Sequence, residues 1–221
     1  MSSTDSSPRA VDVSPWPQRV TVAVFIATVA QLAVATFVDG LPQFEGKGFG
    51  ARLVAYPVMM LLVPVGWVAY QRVRRPAEAS NGDGSLPWAG FALIMAPFLI
   101  DVTGNTLDLY DTLGWWDDAN HFANWFLLCA GIGILLLRAH VHPPWALGVL
   151  VAGIGALLAV VWELGEWFTF IRHGTELDTA YEDTLFDEVL GSLGGAVAAV
   201  IIARKAAASP ARDRHRSGGG G

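Results

Sequence analysis

Four groups of polar side chains recur at helical spacing in the second half of the chain. Asp101, Asn105 and Asp108 stand at i, i+4 and i+7, Asp117 and His121 at i, i+4, Glu163 and Glu166 at i, i+3, and Asp183 and Asp187 at i, i+4. On a helix each spacing puts its members on one face. Carboxylates and an imidazole converging from neighbouring helices can transfer protons as general acids and bases. They can also hold a cation, as helical bundles do with inward-facing Glu and His. The candidate acid/base groups are His121, Glu163 and Glu166. The candidate cation ligands are Asp101, Asp117, Asp118, His121, Glu163, Glu166, Asp183 and Asp187. Dinuclear iron bundles use paired Glu-x-x-His units, and Glu163-x-x-Glu166 carries no His. An oxygen-rich set suits Mg, Mn or Ca, with Zn reachable through His121. The sequence holds no nucleophile elbow, phosphate loop or Ser/His/Asp set. Its one cysteine, Cys129, lies in an apolar run, rules out an intrachain disulfide and reads as a small packing residue.

The elements that must position these groups are membrane helices. Of 221 residues, 53% are hydrophobic and 15% charged, whereas soluble domains carry about 25% charged residues. Six windows have the roughly 20 apolar residues needed to cross about 30 Å of hydrocarbon: Val20 to Val38, Leu53 to Tyr70, Trp88 to Thr106, Ala119 to Leu137, Trp145 to Phe168 and Thr184 to Ala203. Runs such as Ala130 to Leu137 do not alternate, which excludes barrel strands. The expected fold is therefore all-α, a polytopic six-helix transmembrane bundle over residues 20–204. Residues 1–19 are expected to form a disordered cytoplasmic tail, and residues 205–221 a flexible basic one.

The net charge is -6, but its distribution matters more. With the N-terminus inside, eleven basic residues fall on the side of the termini, and only Lys47, Arg52 and Arg172 on the other. That bias places both termini in the cytoplasm. The basic tail then lies against anionic lipid rather than nucleic acid. The same alternation brings the acids of the last four spans to one depth near the extracytoplasmic face. Ionisable groups inside spans mark functional sites by default. Asp117 or Asp118 and Asp183 fit helix N-termini, where the dipole favours them. Glu163 and Glu166 stand near a helix C-terminus, where it does not. The repulsion calls for protons, water, His121, Arg172 or a bound cation.

Other polar or unusual positions have plainer readings. Gln31 should make an interhelical hydrogen bond, Pro57 and Pro64 should kink the second span, and His140 and His142 should sit solvated in a short loop. Trp115, Trp116, Trp125, Trp162 and Trp167 read as interfacial aromatics around the acids. Gly191, Gly194, Gly195 and Ala198 should let the last span pack closely and bring Asp183 and Asp187 to the fourth. The segment Pro76 to Pro87 reads as a linker.

The ordered set DVTGN at Asp101 to Asn105, LYD at Leu109 to Asp111, WWDD followed by His121 and Phe122, WELGEW at Trp162 to Trp167, and YEDTLFDEVLGSLGG from Tyr181 resembles uncharacterised bacterial inner-membrane proteins of the YjdF type. A more distant similarity is to VanZ-like membrane proteins, with Asp118, His121, Glu163, Asp187, Gly191 and Gly195 at the matching positions. The resemblance implies a multi-pass protein of the bacterial cytoplasmic membrane and, through the VanZ-like group, a link to glycopeptide resistance. Glu166 and the aromatic embellishment depart from the VanZ-like pattern. Three functions follow as expectations. One is an acidic/His site binding a divalent cation or an envelope-lipid head group, with lipid-linked or small polar ligands as partners. The others are a proton- or cation-coupled transporter and a non-catalytic scaffold or resistance factor.

The topology has a direct check. A reporter active only outside the cytoplasm should be silent when fused to the C-terminus and active when inserted at Gly46; the opposite pattern would overturn the orientation.

Overall fold

Hydrocarbon leaves no partner for an unpaired backbone amide, and all regular structure among the described residues is helical. The computed structural model describes residues 15–74, 85–169, 171–173 and 180–208. The expected N-terminal and C-terminal tails and the linker lie largely outside the described residues. The helices are α1 (Trp16–Phe37), α2 (Phe49–Arg74), α3 (Trp88–Thr106), the short α4 (Leu109–Thr112), α5 (Trp116–Arg138), α6 (Pro144–Thr169) and α7 (Ala180–Ala208). All but α4 are long and apolar enough to cross a membrane. The six match the six expected windows, with more polar turns added at several ends: α1 begins at Trp16 and α7 runs on to Ala208.

The helices alternate in direction, so Trp16 and Ala208 lie at one end of the bundle, here called proximal. Contacts confirm the alternation. At the proximal end the Thr21 hydroxyl lies 2.8 Å from the Trp88 carbonyl, and Arg138 donates to the Ser85 carbonyl at 3.3 Å. At the distal end Lys47, between α1 and α2, pairs with Asp108 beyond α3. Packing runs α2, α1, α3, α5, α7, α6 in space, with the most extensive contact between α5 and α7. Gln31 of α1 accepts from the hydroxyls of Thr103 and Thr106 at 3.1 and 3.2 Å, as expected. Pro57 and Pro64 lie inside α2.

The α5–α7 seam positions the polar centre, and small residues set its spacing. A methyl group placed on Gly194 would collide with the Phe122 carbonyl, and one on Gly191 would stand 2.5 Å from Cδ1 of Trp125. Cys129 is fully buried, as a packing residue should be, together with Leu147, Val151, Ala198, Ala199 and Ile202. These apolar side chains fill the proximal half among α5, α6 and α7. Without a difference in hydrophobicity between lipid and protein, such close contact is what holds membrane helices together.

Gly194→Ala should therefore destabilise the bundle by about 1–3 kcal/mol through overpacking. Gly153→Ala, where an added methyl meets nothing within 4 Å, should be neutral or slightly stabilising. Thermal melts in detergent that show equal shifts for the two would disprove the tight seam.

Candidate functional site

Two polar assemblies share the distal level. The first surrounds Asp101 in the last turns of α3. Its Oδ2 accepts from the Tyr56 hydroxyl at 2.5 Å and from Arg52 Nη1 at 3.2 Å. Its Oδ1 accepts from the Tyr110 hydroxyl and from Asn105 Nδ2, both at 3.1 Å. Asn120 of α5 in turn donates to Tyr110 at 3.2 Å. Burial and the neighbouring Asp101 charge push the Tyr110 phenol well above its ordinary range, so it remains a donor. Asp101 is thus a fully engaged carboxylate with its own cation.

A clamp closes the edge of this assembly. Lys47 donates to Asp108 and Asp111 at 2.7 Å each. Burial alone would lower the Lys47 pKa, but the two hydrogen bonds outweigh it and hold the ammonium above its ordinary value. The bond from Lys47 in turn holds Asp111 below the usual carboxylate range. Both directions widen the pH interval over which the clamp stays charged.

The second assembly centres on His121, which is buried on α5. Its Nε2 lies 3.7 Å from Asp117 one turn earlier on the same helix and 3.5 Å from Asp187 on α7. Its Nδ1 lies 3.9 Å from Glu163 on α6. Three helices therefore meet at one imidazole. The side chains of His121, Glu163 and Asp187 are 10%, 8% and 5% exposed, whereas that of Asp117 is 44% exposed and opens the cluster to the distal surface. Among the described residues, His121 Nδ1 and Glu163 Oε2 are buried without a hydrogen-bond partner. One ligand atom each from Asp117, His121 and Asp187 lie within 4.8 Å of one another, a spacing that can hold a metal ion.

The eight sequence-predicted ligands separate accordingly. Asp117, His121, Glu163 and Asp187 come together. Glu166 is half-buried on the turn after Glu163, and Asp118 and Asp183 are exposed in the first turns of α5 and α7. Asp101 belongs to the Arg52 assembly. Asp108 leaves the expected face with Asp101 and Asn105, because α3 ends at Thr106 and Asp108 takes a left-handed conformation with φ 58°. No side-chain cap forms at the start of α5, where Trp115 is the N-cap. Asp117 and Asp118 face the positive end of the helix from its first turn instead. Arg172 stacks over the Phe168 ring, 5.3 Å from its centroid.

The tryptophans divide as well. Trp115 and Trp167 are exposed, as interfacial residues should be, but Trp125 is buried against Gly191 and Trp116 packs over Gly104. Sequence reasoning missed Arg52, Tyr56, Tyr110 and Asn120 as polar partners. Arg52 carried a usable signal, being one of only three basic residues on the acidic side.

Asp101→Ala would remove the carboxylate that Arg52 and two tyrosine hydroxyls share, at a cost on the order of 3 kcal/mol. Asp118→Ala, at an exposed position, should stay within about 0.5 kcal/mol of the parent. Denaturation in mixed micelles measures both, and equal stabilities would remove Asp101 as the keystone of its assembly.

No curated protein and no solved structure matches the chain. Residues 25–207 match the model of a family described as "Predicted membrane protein (DUF2238)". The matched span holds all the interacting residues of both distal assemblies, and the chain belongs to this DUF2238 family of membrane proteins.

Proposed function

We propose that Asp117, His121 and Asp187 bind one divalent cation, and that this cation serves a polar head group presented at the distal face. The observation that carries the reading is the position of His121 Nε2 between two carboxylates, at 3.5 and 3.7 Å. Those distances exceed the 2.7–3.2 Å range of N–H···O bonds. They approach the roughly 3.4 Å edge of a tetrahedron whose ligands stand about 2.1 Å from a central ion. Glu163 faces the other ring nitrogen, where a carboxylate orients a metal-bound imidazole and fixes its tautomer. One imidazole with two carboxylates suits Mn or Zn better than Ca, which takes six to eight oxygens.

The surroundings favour a ligand arriving from the membrane interface. Trp115, Trp167, Phe168 and Phe186 are exposed near the distal ends of α5, α6 and α7, a rim suited to the head-group layer. In this reading Glu163 and Glu166 are the acid/base candidates beside the ion. The basic residues at the proximal end support a cytoplasmic location for both termini, with the cluster facing the envelope side of a bacterial inner membrane. The motifs that converge on the cluster also support kinship with YjdF-type and, more distantly, VanZ-like proteins. Transport has less support. The proximal half below the cluster is filled by Cys129, Leu147, Val151 and Ile202, which offer a hard cation no ligand.

Metal analysis after loading with Mn or Zn and desalting should find about one ion per wild-type chain. His121→Ala and Asp187→Asn should abolish retention, Glu163→Gln should weaken it by about 10–100-fold, and Asp118→Asn should leave it unchanged. Equal metal content in wild type and His121→Ala would end the proposal.

A further inference from the structure

The proximal end carries a second feature, unrelated to the His121 cluster. An apolar groove of about 530 Å³ runs between α1, α2 and the start of α3, lined by Val22, Phe25, Leu61, Val65, Phe91 and Met95 among others, with Arg72 at its margin. A smaller hollow adjoins it along α1, shares Val22 and includes Arg19. Arg19 lies in the first turn of α1 and Arg72 in the last turn of α2, so both stand at the proximal membrane boundary. The Thr21 hydroxyl, against the Trp88 carbonyl at 2.8 Å, ties the floor of the groove together there.

The charge at the proximal end of this groove is of one sign. Every Asp and Glu among the described residues lies in the distal loops or the distal turns of the helices, and none lies at the proximal end. Arg19 and Arg72 therefore face the membrane boundary with no protein carboxylate at their level among the described residues. An apolar channel ending in cations complements one kind of membrane component, a lipid with an apolar tail and an anionic head. Anionic lipids also populate the cytoplasmic leaflet, the side to which the positive-inside bias assigns these arginines.

We infer that this groove is a binding site for an anionic phospholipid of the cytoplasmic leaflet, with one acyl chain between α1 and α2 and the head-group phosphate held by Arg19 and Arg72. Acyl-chain burial supplies the affinity, and the two arginines supply the head-group preference. No bond is made or broken, and the site is independent of the distal cation reading.

Native mass spectrometry of the full chain, released from micelles and titrated with phosphatidylglycerol or phosphatidylcholine of identical chains, tests the inference. The first lipid bound to wild type should be phosphatidylglycerol, by about tenfold, since each basic group near the surface adds to the attraction. Arg19→Gln with Arg72→Gln should reduce that preference to about twofold or less, whereas Arg204→Gln with Lys205→Gln should keep it. Val65→Trp, which fills the groove without touching the charges, should weaken the first binding event for both lipids. Cooperative melting of each variant establishes that it is folded, and both arginines are exposed, so their replacement leaves the core intact. Equal binding of the two lipids by wild type would mean ordinary boundary lipid only and would overturn the inference. An unchanged preference in the Arg19/Arg72 variant would overturn it equally.

Discussion

Negative charge taken into a membrane has to be offset where it stands, and this molecule meets that requirement in two ways at one depth. Asp101 receives a fixed cation and hydroxyl donors from two neighbouring elements, α2 and α4, so its charge is satisfied by the protein itself. Asp117, Glu163 and Asp187 instead surround one imidazole. A single imidazolium offsets at most one of three carboxylates, and the remainder falls to protons or a cation from outside. The first arrangement is a closed structural unit. The second brings three carboxylates to one buried imidazole, and its most exposed member, Asp117, opens toward the surface.

The two units are connected. Asn120, which donates to Tyr110 in the Asp101 assembly, precedes His121 on α5. The N-terminal turns of α5 are thereby held by α3 and α4 on one side, while α6 and α7 approach from the other. Gly191 and Gly194 let α7 come close enough for Asp187 to reach the imidazole. A larger side chain at either glycine would separate the carboxylate from the ring as surely as deleting it. The site thus depends on residues that have no polar group at all.

Much of this was legible in the sequence, for identifiable reasons. Long apolar windows have few alternative fates, so all six spans and their helical nature could be read from composition. The i, i+4 pair Asp117 and His121 and the small-residue spacing around Gly191 also carry their geometry with them. What could not be read was which acid faces which helix. Asp101 and Asp187 look alike as intramembrane aspartates, and only packing sends one to Arg52 and the other to His121. Asp108 was misplaced because local periodicity does not reveal that the chain leaves the helix two residues earlier, through a left-handed turn that Lys47 then holds. The aromatic residues were hard for the same reason: Trp125 and Trp115 share a residue type but not a fate, and a seam glycine rather than hydropathy decides between them.

The reliance of His121 on α7 bears on how the protein is made. During synthesis the N-terminal elements emerge first, so α5 and α6 enter the bilayer while Asp187 is still in the unsynthesised remainder of the chain. At that stage α2, α3, α4 and α5 together hold every partner of the Asp101 unit, whereas the imidazole lacks one of its three carboxylates and its seam is open. The cluster is accordingly the last part of the molecule to mature, and a chain cut short before α7 would carry a finished scaffold around an unfinished site.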